Sequence, residues 1–588
     1  MCGIGIAIAP ASSSAHDHVW PTVLEAIRRR GPDSLRTLHH HFTARSQPYT
    51  LSLASSVLSL RGVGITAQPL ASSDGRLLLA WNGQIFDTVD GASSSRVRLD
   101  AGENDAQVLL DRITALVAAG SGCEQAVNAA LAEVEAPYAF ALLDTHTSTL
   151  VFARDPLGRR SLLLHRTPRH EAMTICSVAS TELVDSIAND PGATLDEIDC
   201  ASIWSIDLLR SPTTPRAVPR CKSRFTAPLV LRELRAEQHA AVDGEDFAVA
   251  RDGLMAVLAD SVRRRVTNIA TDQAADEAHV AVLFSGGLDC TTLALLAHRY
   301  VPAHQPIDLL NVGFENPRAL AAARNERDRK LRAKTEPKRS KKHQPPSISL
   351  HDGVESTVEV GGEEDIYAVP DRLTGLASYA ELLQLAPLRR WNFVAINIPY
   401  SDYTRYRSEV ATLMAPTSSV MDLSIGCALY FASRGSGLLH GTPYTTPARV
   451  LLSGLGADEL LGGYSRHRNA LSTSLAALVD ELQMDLDRLP TRNLGRDDRV
   501  ISTHAREARY PFLDRSVLEF LTSTPTTTKI NTELLASNQR GDKFLLRMLA
   551  ESLGLVEASR LAKRAMQFGT RAAKIDPDSG AIKGHHKA

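Results

Sequence analysis

The sequence predicts two consecutive α/β domains: an N-terminal layered sandwich and a C-terminal doubly wound parallel sheet. The chain has 588 residues, which is too long for one hydrophobic core. Residues 1–215 contain short strand-like runs with helical patterns between them, as in stacked layers of sheets and helices. Further along the chain, buried strands alternate with helices, which indicates a parallel sheet with crossover helices.

The elements of the first domain follow from hydrophobic patterning. An apolar strand begins at Gly3, and later runs of strand-forming residues are bounded by turn residues. Apolar residues with helical spacing lie between these runs. The sequence therefore predicts further strands over 77–81 and 138–143, and helices near 105–118 and 123–133.

The second domain, predicted over 246–575, shows the alternation most clearly. Its first buried strand is followed at once by a helix that begins near Thr291. The predicted strands of this domain cover 280–284, 307–314, 393–398 and 450–453.

Three segments are predicted to lie outside these domains or to interrupt them. Residues 216–245 are rich in Pro, Arg and Glu and are interpreted as a linker. A basic insertion at about 318–360 is interpreted as a disordered, solvated segment, and the alternative is a nuclear localisation or anion-binding patch. The tail 576–588 is also predicted to be disordered.

The composition is that of an ordinary globular protein. Hydrophobic residues make up 44% and charged residues 22%, and the formal net charge of -2 gives no reason to expect nucleic acid or membrane as a partner. No apolar run approaches the roughly 18 residues of a membrane-spanning helix. The seven cysteines show no CxxC spacing, so a reducing, cytoplasmic location is expected.

The first set of candidate catalytic residues begins at Cys2. Removal of Met1 would leave Cys2 with a thiol and a free α-amine, a nucleophile beside its own base. Taken alone, Cys2 is better interpreted as a small strand residue. Three later motifs change that interpretation, and with Cys2 they resemble the class II, N-terminal-nucleophile glutamine amidotransferases: RGPD at 30–33, WNGQIF at 81–86 and END at 103–105.

This resemblance implies an αββα N-terminal-nucleophile hydrolase fold and a set of site residues. Cys2 would attack the glutamine side-chain amide and release ammonia. Asn82 and the backbone N–H of Gly83 would hold the oxyanion, and Asp105 would bind the glutamine ammonium.

Two departures from that family predict weak glutamine binding. The family has an arginine for the glutamine carboxylate where this chain has Val57, although Arg61 is close in sequence. The family also has glutamate where this chain has Gln84, so an acid has become a neutral amide. Loss of a charge-assisted bond costs about 1.5–3 kcal/mol, or one to two decades in affinity.

The second set of candidate residues is a loop between a strand and a helix. Ser285, Gly286 and Gly287 would let backbone N–H groups and a hydroxyl hold pyrophosphate at the start of the helix. Asp289 would hold Mg²⁺ on the phosphates. Cys290 follows in the first turn of that helix, and its thiol is a weaker hydrogen-bond donor than a hydroxyl.

This loop resembles the PP-loop of ATP pyrophosphatases, and the sequence after it resembles the asparagine synthetases. The motif SGLGADELLGGY at 453–464 and the motif EARYPFLD at 507–514 carry this resemblance. It implies ATP and Mg²⁺ as cofactors. Ser453 and Gly454 would line the nucleotide, Asp458 would be the second metal ligand, and Lys563 would stabilise the adenylation transition state.

The leading functional hypothesis is an ATP-dependent amide ligase. It would adenylate aspartate or a related acid and would transfer ammonia from glutamine. A third departure bears on this hypothesis, because asparagine synthetases have glutamate where this chain has Leu455, and leucine cannot accept a proton. The alternatives are a non-catalytic, nucleotide-binding relative and a ligase that uses free ammonia. A homodimer is compatible with the resemblance.

Overall fold

The computed structural model of the protein describes residues 2–13, 15–89, 102–231, 244–270, 272–322 and 366–573, with 96–97, 99, 325 and 575. Most of the predicted basic insertion, part of the predicted linker and the predicted tail 576–588 lie outside the described residues.

The N-terminal domain contains two six-stranded antiparallel sheets and one small three-stranded sheet. The strand order is β13-β11-β12-β1-β3-β2 in the first sheet, β15-β14-β10-β9-β5-β4 in the second and β7-β6-β8 in the third. The strands are β1 (Gly3–Pro10), β2 (Ser34–Ala44), β3 (Gln47–Val57), β4 (Leu70–Ala71), β5 (Leu77–Gly83), β6 (Asp87–Val89), β7 (Arg96–Val97), β8 (Val134–Glu135), β9 (Tyr138–Asp144), β10 (Thr149–Arg154), β11 (Leu163–Thr167), β12 (Ala172–Cys176), β13 (Thr194–Glu197), β14 (Ser202–Asp207) and β15 (Arg216–Pro219).

Helices cover the outer faces of the two large sheets. Alternate residues of β1, such as Ile4 and Ile6, pack inward against Leu143 and Phe152 of the second sheet, because strand side chains alternate between faces. Ala7 points the other way, towards the helical layer. The predicted αββα sandwich is therefore confirmed, and its helices are α1 (Ala15–Arg30), α2 (Asp105–Ala118), α3 (Cys123–Ala132) and α4 (Thr181–Asn189).

The C-terminal domain is built on a seven-stranded sheet of order β20-β19-β18-β17-β16-β21-β22. Five adjacent strands are parallel, as predicted, while an antiparallel hairpin that the sequence analysis did not predict is added at one edge. The strands are β16 (Val280–Leu283), β17 (Ile307–Phe314), β18 (Trp391–Ile398), β19 (Ser436–Leu439), β20 (Thr442–Thr445), β21 (Val450–Leu452) and β22 (Glu507–Arg509).

The strand order reverses between β16 and β21. The chain runs from β16 outward to β17 and β18, and then returns to place β21 on the other side of β16. In open α/β sheets, ligands bind at such a reversal, beyond the carboxyl ends of the strands. The fold thus places a candidate ligand site after Leu283 and Leu452.

Helices surround this sheet. The predicted helix after the first parallel strand is present and begins three residues earlier than expected, at Leu288. The described helices are α5 (Gly244–Val266), α6 (Leu288–His298), α7 (Pro370–Leu385), α8 (Tyr400–Met414), α9 (Val420–Arg434), α10 (Ala457–Leu461), α11 (Ser465–Leu471), α12 (Leu475–Arg492), α13 (Leu494–Ser502), α14 (Arg515–Ser523), α15 (Thr526–Lys529), α16 (Thr532–Ala536), α17 (Phe544–Ser552), α18 (Val556–Ser559) and α19 (Met566–Gly569). Within the described ranges, no helix combines the length and hydrophobicity needed to cross a lipid bilayer.

Buried ion pairs join the two domains. Arg30 of α1 and Asp498 of α13 are both fully buried, 2.8 Å apart. The same carboxylate accepts the backbone N–H of Ser161 at 3.0 Å. Further cross-domain pairs are Asp33 with Arg449, Glu197 with Arg499, Arg160 with Glu507 and Asp87 with Arg264.

Candidate active sites

The first candidate site is a small pocket beside Cys2 in the N-terminal domain. Cys2 precedes β1, and the pocket is also lined by Gly83, Gln84 and Asp105. Its cavity volume is only about 30 Å³, so the described side chains nearly fill it. The sequence-predicted residues of the glutamine site are therefore brought together around one thiol.

Asn82 orients the backbone at the candidate nucleophile. The backbone N–H of Cys2 donates to Asn82 Oδ1 at 3.1 Å. The Asn82 Nδ2 group is buried and has no hydrogen-bond partner among the described residues. Burial raises the pKa of the Cys2 thiol, and Asp105 and Glu507 raise it further. Asn82 thus presents an unpaired donor beside the Cys2 thiol, and such a donor is what an oxyanion site requires.

The other end of the pocket contains Asp105 and Arg61. Asp105 Oδ2 accepts the backbone N–H of Ile85 at 3.0 Å. Burial raises the pKa of Asp105, while the nearby Arg61 guanidinium opposes that shift. Val57 and Arg61 both line the cavity, so Arg61 lies within the pocket despite its different place in the sequence.

Gln84 connects this pocket to the second domain. Its Oε1 accepts a hydrogen bond from Arg509 on β22, while its Nε2 is buried without a partner among the described residues. Arg509 also donates to Glu507 at 2.6 Å, and Glu507 itself lines the pocket. Burial alone would raise the pKa of Glu507, but Arg509 and Arg160 hold that pKa at about 2. An ionised carboxylate of the second domain therefore forms part of the pocket wall.

We expect Gln84→Glu to lower the KM for glutamine. The substitution replaces the unpartnered Nε2 donor with a carboxylate oxygen, which can accept a hydrogen bond from the substrate ammonium. The KM should therefore fall roughly 10- to 100-fold. Ammonia release at varied glutamine concentration measures it. Gln107→Glu adds the same charge on α2 outside the pocket and should leave the KM unchanged. An unchanged KM in Gln84→Glu would contradict the role assigned to this position.

The second candidate site is a cavity of about 500 Å³ at the reversal in strand order. The loop after β16 contributes Ser285, Gly287, Asp289 and Cys290, and the loop after β21 contributes another set of lining residues. That second set is Ser453, Gly454, Leu455 and Asp458.

The loop after β16 needs glycine at Gly286. Its φ is +76°, and a Cβ atom there would lie 2.4 Å from the backbone of Gly375. Gly286 lies behind the cavity, whereas Gly287 lines it and forms the N-cap of α6. The Cys290 thiol donates to the Gly287 carbonyl at 3.3 Å. The loop thus presents the N-terminus of α6, an anion-binding feature, to the cavity.

Two aspartates, each in the first turn of the helix that follows one of two neighbouring strands, share one lysine. Lys543 Nζ lies 2.6 Å from Asp289 Oδ2 and 2.7 Å from Asp458 Oδ1, and Lys563 also pairs with Asp458. Burial alone would lower the pKa of Lys543, but the carboxylates of Asp289 and Asp458 raise it. The pKa of Asp458 is lowered despite its burial, because both lysines stabilise its charge.

Sequence reasoning missed two residues of these sites. Lys543 lies in the sequence after the synthetase motifs, and nothing in its local sequence indicates a position between the two aspartates. Glu507 begins the EARYPFLD motif, and its place in the pocket beside Cys2 depends on a contact between residues far apart in sequence. The motif containing Glu507 and Arg509 was the only available signal.

Comparison with known proteins agrees with this arrangement. Residues 1–213 match the glutamine amidotransferase domain model, and residues 475–579 match the asparagine synthase model.

Curated relatives match the chain over nearly its whole length. The chain is 34% identical over 654 residues to asparagine synthetase domain-containing protein 1 of Bos taurus, covering 98% of this chain and 97% of the relative. The Homo sapiens protein is 33% identical over 647 residues, with 98% and 96% coverage. An asparagine synthetase domain-containing protein of Saccharomyces cerevisiae is 30% identical over 574 residues, with 95% and 90% coverage. The chain therefore belongs to the family of asparagine synthetase domain-containing proteins.

Proposed function

We propose that the protein is an ATP-dependent amide ligase that adenylates aspartate or a related carboxylic acid and transfers ammonia to it from glutamine. The observation that carries this proposal is the meeting of Asp289, Asp458 and Lys543 beside a helix N-terminus at the strand-order reversal. The match to a glutamine amidotransferase model supports the ammonia-supplying half.

The first domain would hydrolyse the glutamine side-chain amide to glutamate and ammonia, and the reaction proposed for the second domain then has two steps. A carboxylate oxygen of the acid attacks the α-phosphorus of ATP, the bond to the bridging oxygen breaks, and pyrophosphate leaves. Ammonia then attacks the acyl carbon, AMP leaves with the bonding electrons, and the new amide nitrogen loses a proton. Lys543 and Lys563 would neutralise charge on the pyrophosphate as it leaves, which is how electrostatic catalysis of such transfers works.

The carboxylates of the cavity suit Mg²⁺. Asp289 and Asp458 lie close enough for one ammonium group to contact both. Mg²⁺ prefers oxygen ligands and commonly takes one or two carboxylates together with phosphate oxygens and water. Asp289 and Asp458 would hold Mg²⁺, and when bound it would offset the negative charge of the phosphates.

A second candidate function is a ligase that uses free ammonia. Val57 and Gln84 favour it, since neither supplies the charge that would hold glutamine. In that case amide synthesis would be faster with ammonium salts as the nitrogen source than with glutamine.

Pyrophosphate exchange into ATP tests the proposal, because it reports adenylation separately from ammonia transfer. We expect acid-dependent exchange in the native protein. We also expect Asp289→Asn to weaken Mg²⁺-dependent ATP binding by at least tenfold in calorimetry, since it removes a metal ligand.

Asp542→Asn is a matched control for that variant. Asp542 also lines the cavity, but its carboxylate pairs with Arg547 at 2.8 Å. Equal ATP affinity in Asp289→Asn and the native protein would show that Asp289 does not hold the metal ion. Absence of pyrophosphate exchange with every acid tested would refute the proposed ligase function.

A further inference from the structure

A third cavity, of about 270 Å³, lies in the N-terminal domain between the outer face of the first sheet and the helices α1 and α4. Among the described residues, none that lines it also lines either candidate active site. A cavity of about 150 Å³ in a protein interior is enough to hold benzene. This cavity therefore has room for an aromatic ring and a short chain.

Part of the wall of this cavity is apolar. Val19 and Trp20 of α1 line it, and Trp20 is largely buried. Ala7, Thr174 and His165 pair directly with one another across β1, β12 and β11, so their side chains lie in one row on the same face of the sheet. All three line the cavity, and the small side chain of Ala7 leaves space under the helices.

His165 presents a hydrogen-bond acceptor in this cavity. Its ring is almost fully buried, and Nε2 lies 3.0 Å from Ser186 Oγ on α4. Ser186 Oγ donates to the Leu183 carbonyl at 2.7 Å, so His165 Nε2 is the donor to Ser186. Burial lowers the pKa of His165 to about 4, so the ring is neutral. Nδ1 therefore keeps a lone pair, which no hydrogen bond uses within the described ranges.

Asp190 brings negative charge close to the same imidazole. It caps the C-terminus of α4 one turn after Ser186, so both residues lie on one face of that helix and both line the cavity. The charge of Asp190 also raises the pKa of His165, against the larger effect of burial. The carboxylate and the imidazole acceptor therefore belong to the same part of the cavity.

The Asp190 carboxylate is incompletely neutralised by the chain. Oδ2 is buried and has no hydrogen-bond partner among the described residues. Oδ1 lies 3.6 Å from Nε of Arg169, but the Arg169 side chain is 64% exposed, and such a pair contributes little. The C-terminal end of a helix is also negative, which disfavours a carboxylate there and favours a cation. Both features indicate that this end of the cavity suits a positively charged group.

We propose that this cavity binds a small arylalkyl amine, whose ammonium group pairs with the Asp190 carboxylate and donates to His165 Nδ1 while its apolar body packs against Trp20 and Val19. The ligand would bring the hydrogen-bond donors and the positive charge that the described side chains do not supply to Asp190 and His165. The proposal concerns a separate site and does not depend on the proposed ligase function.

Calorimetric titration of the full chain with three matched probes tests the proposal. Phenethylamine is a cation at neutral pH, 2-phenylethanol has a similar shape without charge, and 3-phenylpropionate carries the opposite charge. We expect phenethylamine to bind roughly 10- to 100-fold more tightly than 2-phenylethanol, because a charge-assisted hydrogen bond replaces a neutral one. 3-Phenylpropionate should bind more weakly than the alcohol, because Asp190 repels it.

Variants of α4 and β11 separate the charge from the acceptor. Asp190→Asn should weaken phenethylamine binding at least tenfold and leave the affinity for 2-phenylethanol nearly unchanged. Asp185→Asn makes the same charge change at an exposed position of α4 outside the cavity and should leave both affinities unchanged. His165→Phe keeps a ring but removes the acceptor, and it should also weaken amine binding at least tenfold.

The outcomes decide between this cavity and the candidate active sites. Phenethylamine that binds no more tightly than 2-phenylethanol, or equally well to Asp190→Asn and the native protein, would overturn the proposal. The same holds if none of the probes binds at millimolar concentration. The titrations are repeated with glutamine and MgATP in excess. Loss of phenethylamine binding in their presence would assign the amine to a candidate active site and would also overturn the proposal.

Discussion

Replacing Asp498 by alanine is expected to lower the free energy of unfolding by about 3–5 kcal/mol, because it leaves buried cations without their carboxylate. Arg30 lies 2.8 Å from this carboxylate and both side chains are fully buried. Arg160 is also buried and lies 3.7 Å from the other carboxylate oxygen. The Ser161 N–H would lose its acceptor as well. Denaturant unfolding followed by circular dichroism measures the change.

The control for this variant is an ion pair exposed to solvent. Arg28 pairs with Glu25 on α1 at 2.9 Å with more than half of each side chain accessible. Exposed pairs contribute little to stability, so Arg28→Ala should unfold at nearly the native denaturant concentration. A similar midpoint for Asp498→Ala and the native protein would show that the domains do not depend on this pair.

Replacing Lys543 by glutamine is expected to reduce pyrophosphate exchange by at least about 10²-fold, the usual effect of removing one group that stabilises transition-state charge. Lys543 Nζ contacts both Asp289 and Asp458, so the substitution also leaves two carboxylates close together without that ammonium. Lys543→Arg keeps the charge and should retain more activity than the glutamine variant.

A second buried lysine distinguishes a catalytic role from a general effect of burial. Lys529 on α15 is fully buried, donates to the Leu521 carbonyl at 2.8 Å and does not line the cavity. Burial lowers its pKa to about 7. Lys529→Gln should change thermal stability while leaving exchange nearly intact. Exchange that survives Lys543→Gln would show that this lysine only balances charge in the resting protein.

Much of the fold could be predicted because its signals are local. The run from Val280 to Leu283 is apolar and short, and the glycines after it end the strand and start a helix, so strand, loop and helix could be placed from neighbouring residues alone. The alternation of Ile4, Ile6 and Ile8 with smaller residues likewise reflects a strand between two layers. The antiparallel hairpin of β19 and β20 was missed, because its residues are mostly exposed and carry no hydrophobic periodicity.

The parts of the sites that could not be predicted depend on contacts distant in sequence. Arg509 donates to Gln84 across 425 positions, and Lys543 reaches Asp289 across 254. A lysine or arginine in isolation is usually a solvated surface residue, and only the fold shows which ones meet a carboxylate in the interior. Motif spacing therefore indicated where the two candidate sites lie. It could not indicate that Arg509 contacts Gln84 in the first or that Lys543 contacts Asp289 in the second.

Strand β22 has a consequence for how such a protein can evolve. Glu507, at its start, completes the wall of a pocket that otherwise belongs to the N-terminal domain. Arg509, at its end, pairs in register with Leu452, just before the loop that lines the cavity at the reversal in strand order. An N-terminal domain exchanged by recombination would arrive without part of its own pocket. The two halves of the coding sequence are therefore constrained to change together rather than as interchangeable modules.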